Sequence, residues 1–308
     1  MRICSFLPSA TETLFELGAA DSLFGVTFEC DYPPEASQKR VIVRTRLRHS
    51  ANSTEIDRQV REFVARGESL YEVDREALQA IQPDLIITQD LCHVCAASPG
   101  DLATVLAALE RKPEIITLNP QSLADVWNDI QAIGTAVGKG LQAHELVAQL
   151  EGRVASVTQA ARGPSIRPRV ACLEWLDPPF AAGHWVPEMV ESAGGIDVLG
   201  KAAKPGYRTT WPDVLDAKPE IIVIMPCGYN LEGALKEFNA LTLPDGWESL
   251  PAVRDGSIFA VDASGYFSRP GPRLAGGVEI LAGILQPETA TAPPPPASCA
   301  SIARSRRN

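Results

Sequence analysis

The sequence predicts an α/β protein with two lobes, each with a mainly parallel central sheet flanked by helices, joined by a single long helix. The chain of 308 residues is about twice the size of a typical domain. A proline, an acid and an apolar run follow one another at Pro83, Pro113 and Pro219. Such a proline ends a helix, and the apolar run is typical of a strand buried on both faces. Two copies lie before residue 120 and one near residue 220, which predicts two α/β lobes.

The first lobe is predicted to cover residues 1–121. Arg2 to Phe6 predicts its first strand, and Ser9 followed by Glu12 is typical of a capping box that begins a helix. Apolar runs from Leu23 to Phe28 and from Val41 to Val43 predict further buried strands.

Residues 122–161 are predicted to form the helical link. Apolar side chains recur there at spacings of three and four, and Gly138-Lys139-Gly140 divides the pattern into two helices. The second, about 20 residues long, would span roughly 30 Å, long enough to join two lobes.

The second lobe is predicted to cover residues 162–286, from a strand at Val170 to Glu174 to a closing helix at Gly271 to Leu285. Residues 287–308 contain the four prolines 293–296 and end in a basic segment. This composition predicts a disordered, proline-rich tail.

Charge and composition exclude several classes of partner. The formal net charge of −10 opposes binding to nucleic acid, and no apolar run approaches the roughly 18–20 residues that cross a bilayer, so we expect no membrane insertion. The N-terminal residues lack a basic segment followed by an apolar one, which predicts a cytoplasmic protein, or a periplasmic one if the start site is mis-assigned. We also expect a monomer.

The chain contains seven cysteines, an odd number, which favours free thiols over a disulfide framework.

Several motifs occur in the order found in one known family. They are Ser5 to Glu12, Asp31-Tyr32-Pro33-Pro34, Asp177 to Gly183 and Ser192 to Gly195. The chain resembles the cobalamin and iron-siderophore solute-binding proteins of ABC importers, and most of all the cobalamin-binding members. The resemblance implies two α/β lobes joined by a long helix, a ligand in the cleft between them, no catalytic activity and an ABC permease as partner.

The resemblance also implies roles for individual residues. Tyr32, Phe180 and Arg269 match ligand-lining positions, and Trp211 resembles the aromatic residue of the second lobe. Glu76 and Asp213 match acids that dock on the permease.

The residues themselves point to the loops at the carboxyl ends of strands, where open α/β sheets bind ligands. Flat aromatic side chains near these loops are suited to a large macrocycle. They are Trp175, Phe180, Trp185, Trp211, Tyr266 and Phe267. His184, which follows Gly183, would coordinate cobalt or donate a hydrogen bond to the ligand, or cap the chain at the surface.

A Cys-x-x-Cys pair with an internal histidine, Cys92-His93-Val94-Cys95, leaves three alternatives open. Cys92, His93 and Cys95 would bind a metal, the two cysteines would form a thiol-redox pair, or they are plain thiols.

Arg44, Arg46 and Arg48 alternate, so they lie on one face of an extended segment. They either bind acidic groups of the ligand or pair with Glu55 or Asp57. The sequence thus predicts a non-catalytic binding protein for a corrinoid, above all cobalamin. Alternatives are an iron-siderophore or haem binder and a metal or thiol-redox protein using Cys92 and Cys95.

Overall fold

The computed structural model describes residues 1–48, 53–89, 106–107, 109–163, 166–290 and 293–302. The chain divides into two units, each with its own sheet flanked by helices. Unit 1 comprises Met1–Pro120 and Ala124–Ala148, and unit 2 comprises Gln121–Leu123 and Gln149–Asn308. The predicted α/β class with two sheets is confirmed.

Unit 1 contains a six-stranded sheet in the order β4-β3-β2-β1-β5-β6. The strands are β1 (Ile3–Ser5), β2 (Leu23–Thr27), β3 (Val41–Thr45), β4 (Tyr71–Val73), β5 (Leu85–Gln89) and β6 (Glu114–Leu118). Its first helices are α1 (Pro8–Glu16), α2 (Ser53–Arg66) and α3 (Arg75–Ile81). All strand pairs are parallel except β3 with β4. The carboxyl ends of the parallel strands therefore meet at one edge, which we call the unit 1 edge.

Helix α1 begins differently from the predicted capping box. Its N-cap is Leu7, whose apolar side chain cannot accept a hydrogen bond, and Pro8 is the first residue of the helix. Ser9 lies inside the helix, and its Oγ is buried with no hydrogen-bond partner among the described residues. Because Pro8 has a fixed φ suited to the first turn, the helix begins one residue before the predicted cap.

Two helices follow the first sheet, α4 (Leu123–Ala136) and α5 (Gly140–Ala161). Gly138, with φ of 71°, ends the first of them in a conformation that favours glycine. A Cβ on Gly134 would lie 2.3 Å from the Cβ of Ala143, so the two helices approach closely there. Residues up to Ala148 belong to unit 1 and those from Gln149 to unit 2, so α5 contributes to both.

Unit 2 contains a sheet in the order β10-β8-β7-β11-β12-β13, with β9 also paired to β7. The strands are β7 (Arg169–Leu176), β8 (Pro179–Ala181), β9 (Ile196–Asp197), β10 (Tyr207–Arg208), β11 (Ile221–Ile224), β12 (Ile258–Val261) and β13 (Cys299–Ser301). The helices are α6 (Val186–Ser192), α7 (Trp211–Ala217), α8 (Leu231–Ala240), α9 (Pro251–Arg254), α10 (Ala263–Tyr266) and α11 (Leu274–Leu285). β7, β11 and β12 are parallel, and their carboxyl ends form what we call the unit 2 edge.

The prediction of a disordered tail is wrong for the described residues near its end. β13 pairs antiparallel with β12, Ser298 is buried, and its carbonyl oxygen accepts a hydrogen bond from Asp262 N at 2.8 Å. The four prolines end at residue 296, so the residues after them have the N–H groups that a strand needs.

Each sheet changes direction at one strand. The chain leaves β1 toward β2 while β5 lies on its other side, and it leaves β7 toward β8 while β11 lies on its other side. Open α/β sheets bind ligands at such switch points, beyond the carboxyl ends of the strands. In the part of the chain that the structure describes, no helix is long and apolar enough to cross a membrane.

Candidate functional site

The unit 2 edge carries three aromatic side chains close together. Trp175, near the end of β7, lies directly opposite Phe180 of β8, and both are half-buried. The ring of Tyr229 meets that of Trp175 edge-on, with centroids 5.8 Å apart and planes at 72°. We call Trp175, Phe180 and Tyr229 the aromatic edge. They offer flat, rigid apolar surface at the switch point of the sheet.

Backbone hydrogen bonds hold Tyr229 in this position. Beyond the end of β11, Met225 N donates to Leu173 O and Cys227 N donates to Glu174 O, both at 2.9 Å, so the loop follows β7. Burial raises the pKa of Tyr229 to about 12, so its phenol stays protonated at neutral pH. The loop from Cys227 to Tyr229 follows a predicted strand and was a predicted place for the ligand, but no pattern in the sequence indicated Tyr229 itself.

The indole nitrogen of Trp175 is an unusual feature of this edge. Its N–H is buried and has no acceptor among the described residues. A buried donor without an acceptor costs about 1–3 kcal/mol. An acceptor supplied by a ligand would remove that cost.

Three predicted ligand-lining side chains pack inside unit 2 instead. Trp185 and Phe267 are only 3% and 2% exposed, and Trp185 Nε1 donates to Phe267 O at 2.8 Å. Trp211 is half-buried and meets Trp247 edge-on at 5.7 Å. For Trp185 and Phe267 the prediction relied on position in a loop, whereas these large apolar side chains are stabilised by burial, and Trp211, which the resemblance indicated, packs against the core at the start of α7.

His184 does not lie at the unit 2 edge, because after β8 the chain runs back along β7 toward the middle of that strand. Ala182 N donates to Cys172 O, in the middle of that strand, and His184 follows two residues later. The backbone of His184 has a φ of 51° and is held by bonds to Lys204 O and from Ala203 N. Its Nε2 is buried with no partner among the described residues, and burial lowers the pKa of the imidazole. The ring is therefore neutral at pH 7, with Nε2 facing the protein interior.

Arg269 is half-buried on the loop that follows β12 and α10. Asp262 caps this short helix by accepting a hydrogen bond from Gly265 N at 2.8 Å. The loop thus starts from the carboxyl end of a central strand, which agrees with the expected place of a ligand-binding arginine.

Tyr32 of unit 1 is 41% exposed and does not lie at the start of α1. It lines a depression of about 440 Å³ together with Phe15, Glu16, Pro33 and Glu35. Phe15 is near the C-terminal end of α1, roughly 10 Å along the helix from its first turn at 1.5 Å per residue. Two residues before Tyr32, Cys30 Sγ lies 3.1 Å from Thr11 Oγ1, so the loop after β2 packs against α1, and the ligand-lining role of Tyr32 stays a prediction.

The two predicted docking acids have different surroundings. Glu76 is exposed in the first turn of α3. Asp213 is exposed too, but its carboxylate accepts hydrogen bonds from Thr210 N and Thr210 Oγ1 in the capping box of α7. Its docking role stays a prediction, and its local role is to begin this helix.

The predicted metal or redox residues Cys92, His93 and Cys95 lie outside the described residues. Within the described ranges, no group of three or more histidine, cysteine or acidic side chains is arranged to hold a metal ion. Cys4 and Cys172 are buried in the sheets, and burial raises the pKa of the Cys4 thiol to about 12. Such thiols are unreactive at neutral pH.

Comparison with known proteins decides the family. Residues 3–264 match the profile of the periplasmic binding proteins. The chain belongs to this family. It is 24% identical to the uncharacterized ABC transporter substrate-binding lipoprotein YvrC of Bacillus subtilis over 94% of this chain and 81% of that protein. It is also 24% identical to the vitamin B12-binding protein of Vibrio cholerae over 92% of this chain and 89% of that one.

Solved structures share the fold. The periplasmic vitamin B12-binding protein BtuF of Vibrio cholerae has a TM-score of 0.67 at 20% identity and covers 92% of this chain and 96% of its own. A periplasmic haem-binding protein of Pseudomonas aeruginosa has a TM-score of 0.70 at 17% identity, with coverages of 94% and 93%. The predictions of a two-lobed binding-protein fold and of a solute-binding protein rather than an enzyme are confirmed.

The predicted cytoplasmic location is wrong. The family is periplasmic, one relative is a lipoprotein, and the similar structures are of periplasmic proteins. These findings point to a location outside the cytoplasm, in keeping with a substrate-binding component of ABC importers. The prediction relied on the first residues of the chain, whereas the evidence on location comes from the relatives.

Proposed function

We propose that this protein binds a corrinoid, with cobalamin as the ligand, and delivers it to an ABC permease. The observation that carries the proposal is the aromatic edge of unit 2. Trp175, Phe180 and Tyr229 supply flat surface for a macrocycle. The vitamin B12-binding relative, similar over 92% of this chain, supports this choice of ligand.

Arg269 is the polar group that we propose to orient the ligand. It follows the last parallel strand of unit 2 and is half-buried, and its guanidinium group would donate hydrogen bonds to amide oxygens of cobalamin. Ser9 Oγ and His184 Nε2 are buried and would contribute only after a rearrangement that exposes them.

Haem is the second candidate. It is also a flat macrocycle suited to aromatic side chains, and haem-binding proteins are among the structural neighbours, including RhuT of Roseiflexus at 25% identity and a TM-score of 0.65. Haem has two carboxylates and no amides, so the two ligands differ in the polar groups that they require.

Calorimetric titration with cobalamin and with haem tests the proposal. We expect cobalamin to bind at micromolar concentration or below, and Trp175→Ala and Phe180→Ala each to weaken it about tenfold or more. Phe24→Ala removes an exposed ring from the first half of β2, at the opposite end of that strand from the unit 1 edge, and should leave affinity unchanged. Tight binding of haem without binding of cobalamin would replace the corrinoid by the second candidate.

Docking on the permease is proposed for Glu76. Its carboxylate is exposed on unit 1 and no described hydrogen bond or ion pair involves it, so it is available to a basic group of the partner. Glu76→Lys should leave the affinity for cobalamin unchanged and abolish delivery to the reconstituted permease. A variant that still delivers cobalamin would exclude this role.

A further inference from the structure

Three arginines form a basic ridge on unit 1. Arg44, Arg46 and Arg48 are all exposed, and Leu47 between them packs against the buried core of unit 1. Arg44 is the last residue but one of β3, and Arg46 and Arg48 follow the strand within three residues, so the three exposed side chains lie close together in the chain. We call Arg44, Arg46 and Arg48 the arginine ridge.

The ridge lies where β3 reaches the unit 1 edge. Arg44 is in the strand itself, and Arg46 N continues its pairing by donating to Leu70 O at 2.8 Å. Arg48 N donates to Gln59 Oε1 of α2 at 2.8 Å. These backbone bonds hold the segment that follows β3, which bends at Leu47. The ridge therefore belongs to the same edge as the first turn of α1.

The acids predicted to pair with these arginines are engaged elsewhere. Glu55 accepts hydrogen bonds from Arg58 at 2.7 and 2.6 Å, and Asp57 forms a salt bridge with Arg61 at 2.8 Å. Arg48 is close enough to contribute to the lowered pKa of Glu55, although Arg58 is the main cause. Glu72 lies opposite Arg44 across β3 and β4.

Within the described ranges, no hydrogen bond or salt bridge involves the guanidinium group of any ridge arginine. Of the predicted pairing with Glu55 or Asp57, the part of the chain that the structure describes shows only an electrostatic interaction between Arg48 and Glu55. Three guanidinium groups within five residues create a local positive field in a protein with a net charge of −10.

We propose that the arginine ridge binds acidic groups of the ligand, either carboxylates or a phosphate. Guanidinium groups form paired, charge-assisted hydrogen bonds with both. This inference rests on the proposed corrinoid function and names the group of the ligand that the ridge contacts, which is a phosphate, as in cobalamin, or carboxylates, as in a corrinoid acid.

Three corrinoids that differ in acidic groups test the inference by calorimetry. Cobinamide has neither carboxylate nor phosphate, cobalamin has one phosphate, and cobyrinic acid has several carboxylates. The ridge variant combines Arg44→Gln, Arg46→Gln and Arg48→Gln. The matched control combines Arg58→Gln, Arg61→Gln and Arg66→Gln, which removes the same charge from exposed arginines of α2 that have acidic partners.

The wild type should bind cobyrinic acid at least about tenfold more tightly than cobinamide if carboxylates are recognised. A phosphate site would instead give that advantage to cobalamin. Either advantage should disappear in the ridge variant and persist in the control. Equal affinities in the wild type, or an advantage that survives in the ridge variant, would overturn the inference while leaving corrinoid binding intact. If none of the three binds, the proposed function itself fails.

Discussion

The two edges have different chemistry although both are formed by the carboxyl ends of parallel strands. The unit 2 edge has Trp175, Phe180 and Tyr229, which suit the face of a macrocycle. The unit 1 edge has Ser9 and the arginine ridge, which suit polar and acidic groups. The comparison teaches that the sheet fixes where a ligand-binding surface forms, while the residues just after each strand decide what it binds.

The largest expected effect is the loss of stability when a methyl group is added at a closely packed glycine of each unit. A Cβ on Gly183 would lie 2.4 Å from both Gly206 N and Lys204 O, which are backbone atoms that cannot move aside. A Cβ on Gly25 of unit 1 would meet the end of the Ile42 side chain at 2.6 Å, which can rotate. Gly183→Ala should therefore cost about 3 kcal/mol and Gly25→Ala about 1 kcal/mol of the free energy of unfolding, measured by urea denaturation. Equal costs would show that the loop after β8 is not tightly held.

At the unit 2 edge, variants of Tyr229 test whether its ring or its hydroxyl contacts the ligand. Tyr229→Leu removes the edge-on contact with Trp175 and should weaken cobalamin binding about tenfold, whereas Tyr229→Phe keeps the ring and should change affinity less than about twofold. Calorimetry of the two variants measures the difference. If Tyr229→Phe weakens binding as much as Tyr229→Leu, the hydroxyl and not the ring contacts the ligand.

Two half-buried titratable side chains, Asp129 in unit 1 and His184 in unit 2, should change the stability of the folded state in opposite directions as pH rises. In unit 1, burial and the nearby Asp125 raise the pKa of Asp129 to about 7. The unfolded carboxyl ionises near pH 4, so the folded state is progressively destabilised as pH rises from about 4 to 7. In unit 2, burial lowers the pKa of His184, so stability is lost as pH falls below about 6.5, where the unfolded imidazole takes up a proton.

Variants separate these two contributions. Asp129→Asn should stabilise the protein by about 1 kcal/mol at pH 8, after allowance for partial exposure, and by nothing at pH 4. His184→Gln should reduce the loss of stability between pH 7 and pH 5. Thermal unfolding at these pH values provides the measurement, and a stabilisation by Asp129→Asn that is the same at pH 4 and pH 8 would contradict the assignment.

The smallest expected effect compares two ion pairs. Arg58 and Glu55 of unit 1 are both exposed, whereas in unit 2 Arg153 binds Glu279, whose side chain is only 17% exposed, through two hydrogen bonds. Arg153→Gln should lower the free energy of unfolding by about 1 kcal/mol, and Arg58→Gln should lower it by less, because solvent screens the exposed pair. Urea denaturation at low and high salt would show the difference, and a larger cost for Arg58→Gln would contradict the ranking.

Local patterns in the sequence predicted the fold well. The runs after Pro83, Pro113 and Pro219 form β5, β6 and β11, and Gly138 separates the two helices of the link. Each of these signals depends on residues near one another in the chain. β13 was missed because the prolines before it indicated disorder, although the strand depends on pairing with the distant β12.

The candidate site was predictable only in part, for the same physical reason. The resemblance indicated Phe180, which lies in β8 opposite Trp175, and Arg269, which follows α10, and their roles in binding stay predictions. The burial of Trp185 against Phe267, and the contact of Tyr229 with Trp175, depend on tertiary packing between segments distant in the chain. No spacing in the sequence reports such contacts.

Hydrogen–deuterium exchange with and without cobalamin tests the central claim most directly. The account predicts that cobalamin slows exchange in the segments 173–182 and 225–230 of unit 2, and in 5–10 and 43–48 of unit 1. Unchanged exchange in these segments, at a cobalamin concentration that saturates the protein, would contradict this prediction.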